Sequence, residues 1–269
     1  THVEGLIKDD ERLNKAVTDA RNKLANAHTS RVRVRQILNW LKEGKPIDFS
    51  KPIGYIPTYE ESKYYENFFV NTPVWSKSTP NKDELSRLHY IDQYVRAIRK
   101  NSKQPLKILE VGCGRGWLSE HLSQYGEVTA IDPIGEVISH AKQMYPHINF
   151  ITGDTNLMCF LGFIEQYDVV VSSEVIEHIP NSHKQEFISN CHLMLKPNGY
   201  FVISTPRGDI QDQWEDKYGK PPQPTEQWIT ESSLEKLCND NQLKSVELNK
   251  AFLMDIYQIW LFRKQLVSR

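Results

Sequence analysis

From Lys107 to the C-terminal end, short apolar runs and longer amphipathic stretches alternate along the chain. The runs at 107–111, 127–131, 148–151, 168–172 and 199–204 have strand length, whereas the stretches near 116–125, 135–145 and 183–195 read as helices. Strands separated by helix-length segments predict right-handed βαβ units and a mostly parallel sheet. After a polar, proline-containing insertion from Pro206 to Trp228 come a helix near 231–240 and two apolar runs near 244–250 and 255–263. With no helix between them, these last runs predict an antiparallel hairpin at the sheet edge.

Upstream the pattern differs. Leu6, Leu13, Val17, Ala20 and Leu24 keep helical spacing, and a break at His28–Ser30 precedes a second amphipathic stretch with Val34, Ile37, Leu38 and Leu41. Residues 1–44 therefore read as two helices. They suit a cover on the main domain better than a dimerisation or docking arm, because clean heptads are too few for a coiled coil. From Pro46 to Pro80 the periodicity dissolves into proline, polar residues and aromatics that include Tyr55, Tyr59, Tyr64, Tyr65, Phe68, Phe69 and Trp75. That stretch reads as a loop, serving as a substrate cover or as glue to the sheet. Asn81 to Arg99 then reads as a helix with Asp83 and Glu84 in its first turns. The expected domains are 1–80, a helical extension with an aromatic-rich loop, and 81–269, an α/β domain.

Composition narrows the function classes. The 269 residues carry a formal net charge of −1, so no global basic field draws the protein to nucleic acid or anionic lipid. No apolar run approaches membrane-spanning length, and no signal peptide is evident. Cys113, Cys159, Cys191 and Cys238 are scattered without a Cys-x-x-Cys pair, which points to reduced thiols and a cytoplasmic location. The chain begins at Thr1, which leaves open a processed start, a trimmed one, or a domain cut from a longer protein.

Four features fall at the carboxyl ends of successive expected strands, where open α/β sheets bind ligands. The first strand ends at Glu110 and runs into Gly112-x-Gly114-x-Gly116, a turn whose glycines allow positive φ and close backbone approach. Asp132 ends the second strand, followed by Pro133, and is placed to accept hydrogen bonds from ribose hydroxyls. Asp154, followed by Thr155, comes after the third strand, and Ser173 and Glu174 close the fourth. Taken singly, Asp132 reads equally as a helix cap and Asp154 as a turn residue. The Gly-x-Gly-x-Gly spacing, with no Tyr-x-x-x-Lys pair, disfavours nicotinamide-dependent hydride transfer.

The Glu-Val-Gly-Cys-Gly-Arg-Gly turn, Asp132, Gly153-Asp154, Ser-Ser-Glu-Val-Ile-Glu-His178 and Leu195-Lys-Pro-Asn-Gly-Tyr-Phe-Val-Ile-Ser-Thr-Pro206 resemble the class I S-adenosylmethionine-dependent methyltransferases. Within that class they are most similar to the ubiquinone-biosynthesis type of O-methyltransferase. The resemblance covers residues 107 to about 263. It implies a Rossmann-like, seven-stranded sheet with a terminal antiparallel strand and S-adenosyl-L-methionine as cofactor. It places Gly112, Gly114 and Gly116 by the methionine moiety, Asp132 at the ribose and Asp154 by the adenine. The turn of Ser172, Ser173 and Glu174 then flanks the sulfonium.

His178 is the candidate general base, with a structural histidine at a helix start as the competing reading. If the turn continues as a helix, Glu174, Glu177 and His178 share one face and offer two carboxylates and an imidazole to a divalent metal. Similar Glu-x-x-Glu-His runs occur in small-RNA 2′-O-methyltransferases and some ubiquinone O-methyltransferases. There a distal histidine follows, where this chain has Gln223, Thr225 and Glu226 instead. The expected acceptor is a hydroxyl of a small molecule: a quinone-like phenol, a natural product or a sugar. N-methylation, RNA 2′-O-methylation and a non-catalytic scaffold role are the alternatives.

Overall fold

The computed structural model describes residues 57–265. The two expected N-terminal helices, and any dimerisation or docking through residues 1–44, lie outside this range. Contacts separate a unit ending at Lys63 from one that runs from Tyr64 onward.

A seven-stranded sheet in the order β3-β2-β1-β4-β5-β7-β6 forms the centre of the second unit. Its strands are β1 (Leu106–Val111), β2 (Gly126–Asp132), β3 (Asn149–Thr152), β4 (Tyr167–Ser173), β5 (Leu195–Pro206), β6 (Leu243–Ala251) and β7 (Tyr257–Lys264). The first five are parallel, and β7 runs antiparallel between β5 and β6. The fold is therefore the expected Rossmann-like one with its antiparallel closing hairpin.

Alternation within the central strands explains the layering. Ile108, Val169, Val171 and Val202 face a core shared with Ile91 and Val95, while Leu109, Val170, Phe201 and Ile203 face one shared with Phe187, Ile188 and Leu234. Because side chains alternate across a strand, a continuous apolar run supplies both faces at once, as a parallel sheet buried on both sides requires.

The helices are α1 (Tyr59–Glu66), α2 (Lys82–Lys100), α3 (Trp117–Leu122), α4 (Gly135–Met144), α5 (Thr155–Phe160), α6 (Asn181–Met194), α7 (Gln211–Tyr218) and α8 (Glu231–Asp240). Three of them correct the sequence reading. The supposed loop before residue 80 contains α1 and a π-helical turn, Asn67–Asn71. The start of α1 is fixed by a reciprocal cap: Glu61 N donates to Thr58 Oγ1 at 3.2 Å, and Thr58 N donates to Glu61 Oε2 at 2.7 Å. Helices α5 and α7 have six and eight residues, too short for a periodic signal. No helix among the described residues is long and apolar enough to cross a membrane, and all four cysteines are unpaired.

Helix α2 opens with the same device. Glu84 N donates to Asn81 Oδ1 at 2.9 Å, and Asn81 N donates to Glu84 Oε2 at 2.8 Å. The Glu84 carboxylate also receives Arg115 as a fork, Nη1 to Oε1 at 2.6 Å and Nη2 to Oε2 at 2.8 Å, while Arg115 Nε reaches Lys77 O at 2.5 Å. Arg115 is fully buried, as is nearly all of Glu84. Breaking such a pair strands a charge and costs about 3–5 kcal/mol. Arg115→Met is expected to lower the unfolding free energy measured by urea titration by an amount in that range, and adding Glu84→Gln to recover part of it; an unchanged unfolding free energy in the single variant would refute the importance of the pair.

Candidate functional site

The site is built where β1 ends. Gly112 N and Cys113 N donate to Ile131 O at 2.8 and 3.0 Å, which folds the glycine turn back on the end of β2. Gly114 has φ +51°, and a Cβ there would sit 3.0 Å from the ring of Phe69, so only glycine leaves the backbone this close to the aromatic segment. At Gly116, with φ +85°, a Cβ would lie 2.5 Å from Phe150.

Asp132 closes the turn from β2. One carboxylate oxygen accepts from Gly114 N at 3.2 Å and the other from Ile134 N at 3.0 Å. Burial pushes its carboxyl up to about 6, opposed by those two backbone donors. Each oxygen keeps a second lone pair, so this arrangement is compatible with accepting ribose hydroxyls. Pro133 beside it is exposed. Asp154 proves to be the N-cap of α5, where Oδ1 accepts from Leu157 N at 2.8 Å. Thr155 is turned toward α6, within 3.4 Å of Asn190 Nδ2. Both side chains thus do structural work that the sequence reading assigned to the neighbourhood of a ligand.

Beneath the turn, Glu110 is buried and accepts from the Ser119 hydroxyl. Burial pushes its carboxyl up to about 8; the Ser119 hydrogen bond opposes this and the nearby Asp132 charge adds to it.

At the end of β4 the chain turns sharply, with Glu174 at φ +59°. Glu174 N donates to Ser204 O at 3.0 Å, and Ser204 Oγ lies 3.0 Å from Glu174 Oε1 and 2.8 Å from Ser173 Oγ. Arg87 from α2 brings Nε to 3.8 Å from Glu174 Oε1 and lies over the Tyr257 ring, 4.5 Å from its centroid. Its Nε is buried without a hydrogen-bond partner. Burial holds the Glu174 carboxyl well above the usual range, opposed by Arg87 and reinforced by Glu177. Arg87 was missed because nothing in a helix of alternating charges marks the one arginine that points inward; its place within the apolar face of α2, beside Leu88 and Ile91, is the available signal.

The shared helical face of Glu174, Glu177 and His178 does not form. After the left-handed Glu174 there is only a single 3₁₀ turn, Ile176–His178. Glu174 turns to Ser204, whereas Glu177 accepts from Thr205 Oγ1 at 2.9 Å. His178 Nδ1 lies 2.9 Å from Thr225 O. Among the described residues no group of three or more His, Cys, Asp or Glu side chains is arranged to hold a metal ion. The side chains at 174, 177 and 178 therefore do not fit the metal-binding expectation.

Residues 84–248 match the family model of the methyltransferase domain. The chain belongs to this family. The ubiquinone biosynthesis O-methyltransferase of Coxiella burnetii (strain RSA 493) is 33% identical over 124 residues, 44% of this chain and 49% of that protein. The enzyme of the same name from Rickettsia bellii is 36% identical over 124 residues, 44% of this chain and 49% of its own. The chain thus spans about half the length of these relatives. Among solved structures, magnesium protoporphyrin IX methyltransferase from Synechocystis PCC 6803, with SAH bound, superimposes with a TM-score of 0.59 at 19% identity, over 76% of this chain and 99% of that one. N-methyltransferase NodS from Bradyrhizobium japonicum WM9 gives 0.57 at 19% identity, over 76% and 98%. The class I S-adenosylmethionine-dependent methyltransferase resemblance read from the motifs is borne out.

One property of this methyltransferase domain is testable without an acceptor. Glu110 ionises near 4.5 in ordinary surroundings and near 8 in the fold, so the folded chain holds its proton more tightly than the unfolded one. Its contribution to stability is full below the lower value and is lost as pH rises through the upper one. Glu110→Gln is expected to flatten the decline in denaturation midpoint between pH about 5 and about 9; a decline as steep as in the wild type would place the titrating group elsewhere.

Proposed function

We propose that the protein transfers the methyl group of S-adenosylmethionine to a hydroxyl of a small-molecule acceptor. The observation that carries this reading is the glycine turn closed by Asp132, set beside the strand end that presents Glu174 and His178. The buried acids suit the cofactor's chemistry: Glu110, Asp132 and Glu174 have their ionisation opposed by burial, and a cationic ligand offsets that cost. When bound, S-adenosylmethionine supplies an electrophilic methyl on a sulfonium.

In this reading Gly112, Gly114 and Gly116 pass along the methionine moiety and Asp132 accepts the ribose hydroxyls. Pro133, Asp154 and Thr155 bound the adenine side, and Ser173 and Glu174 flank the sulfonium. Arg87 adds a buried cation with an unused Nε, suited to a carboxylate of the ligand. The acceptor lies by His178. With Nδ1 donating to Thr225 O, the neutral imidazole keeps its lone pair on Nε2 and can take a hydroxyl proton there. Alignment of the acceptor oxygen with the methyl is the larger task, worth about 7 kcal/mol or more in favourable cases. The O-methyltransferase names of the relatives support an oxygen acceptor.

Three measurements test the reading. Calorimetric titration with S-adenosylhomocysteine should show binding that weakens by about ten- to a hundredfold in Asp132→Ala, as expected for lost hydrogen bonds of about 1–3 kcal/mol; no binding by the wild type overturns the proposal. With an acceptor in hand, His178→Ala is expected to reduce kcat by about 10²–10⁴ with KM little changed. Turnover insensitive to chelator is expected as well, because the residues at 174, 177 and 178 do not converge.

A further inference from the structure

The segment Thr225–Trp228 is fastened over His178. Gln227 N donates to Glu177 O at 2.8 Å, Asn181 N donates to Gln227 Oε1 at 2.8 Å, and Lys184 Nζ donates to Gln227 O. This brings Glu226 Oε2 to 3.4 Å from His178 Nδ1, while Glu177 Oε1 stands 3.7 Å from Nε2. From the other side comes the aromatic segment. The Tyr65 ring meets the imidazole edge-on at 5.5 Å, and Tyr64 stands edge-on to Tyr65 at 5.2 Å. Burial, and then the Glu226 charge, push the Tyr64 hydroxyl up.

Glu226 itself is incompletely served. Trp228 Nε1 donates to Oε1, but Oε2 is shut off from solvent and receives no hydrogen bond. A buried acceptor left unmade costs about 1–3 kcal/mol. Lys184 acts on both carboxylates through space, yet its Nζ is engaged by the Gln227 carbonyl. A side chain of 11% exposure with a carboxylate oxygen that receives no hydrogen bond, on an imidazole that Tyr65 meets from the other side, is chemistry that fits a ligand cation bearing N–H groups. An acceptor carrying a carboxylate or phosphate would instead meet two carboxylates, Glu226 and Glu177, against the single ammonium of Lys184.

We propose that the acceptor carries an ammonium group, seated between Glu226 Oε2 and the rings of Tyr64 and Tyr65, with its hydroxyl presented to His178. This inference rests on the methyltransferase reading above and specifies its substrate class. Glu226 and Tyr64 are then specificity-determining residues, supplied by two segments that the catalytic strand end does not include.

The test compares two catechols alike in ring and hydroxyls, dopamine and 3-(3,4-dihydroxyphenyl)propanoate, titrated calorimetrically into the full chain with and without S-adenosylhomocysteine. Dopamine is expected to bind tighter by about tenfold or more, the equivalent of one ion pair with cation–π support. Glu226→Gln should abolish the preference and Tyr64→Leu should reduce it, with S-adenosylhomocysteine affinity unchanged in both variants as evidence that they fold. Equal binding of the two catechols, tighter binding of the carboxylate, no dopamine binding at millimolar concentration, or a preference that survives Glu226→Gln would each overturn the proposal. An equal loss of both ligands in Glu226→Gln would also overturn it, reducing Glu226 to a partner of His178. If S-adenosylhomocysteine binds and the amine preference is absent, this inference alone fails; if it does not bind while the preference stands, the methyltransferase reading alone fails.

Discussion

The geometry of the site depends on keeping a turn of left-handed residues in place at the end of β1. Gly112, Gly114 and Gly116 adopt φ values of +71°, +51° and +85°, and such a run has no periodic hydrogen bonding of its own. It is held from three sides. The Ile131 carbonyl and the Asp132 carboxylate hold its amides, Phe69 and Phe150 fill the space a side chain would take, and Arg115 anchors it to Glu84. The arginine between two glycines therefore does not face the ligand. It ties the turn to α2 and to the Lys77 carbonyl.

Around this turn the protein concentrates acids where water is scarce. Glu110, Asp132, Glu174 and Glu177 all have carboxyls raised by burial, while Arg87 beside Glu174 and Lys184 near Glu177 are the buried cations that act on them. An isolated site of this kind is costly for the fold, which is the usual mark of a surface prepared for a ligand of opposite charge. The same arrangement separates two groups of acids: Glu110 and Asp132 lie by the glycine turn, whereas Glu177 and Glu226 bracket His178.

The sheet was legible because its strands are mostly apolar: Ile108–Val111 is broken only by Glu110, Val128–Ile131 only by Thr129, and Val169–Val171 is unbroken. The glycine turn and Asp132 were legible for the same reason, since each is fixed to a strand end. What escaped was set by short-range or long-range contacts without periodicity. Helix α1 hides behind aromatics and declares itself only through the Thr58–Glu61 cap. The expected face of Glu174, Glu177 and His178 failed because one left-handed residue interrupts it, and a backbone angle leaves no trace in residue spacing. Arg87 and Glu226 matter through partners far along the chain, at Tyr257 and His178. Asp154 was visible as both cap and ligand, and one of its carboxylate oxygens serves as the cap.

Glu84 has one carboxylate and two employments. Its Oε2 accepts from Asn81 N, as the cap that starts α2, and from Arg115 Nη2, as the anchor of the glycine turn. Fraying of the first turn of α2 and release of the glycine turn are consequently a single opening event. Amide protons at the start of α2 and in the Gly112–Gly116 turn then share one exchange protection, and a ligand that tightens the turn slows exchange at the head of a helix it does not touch.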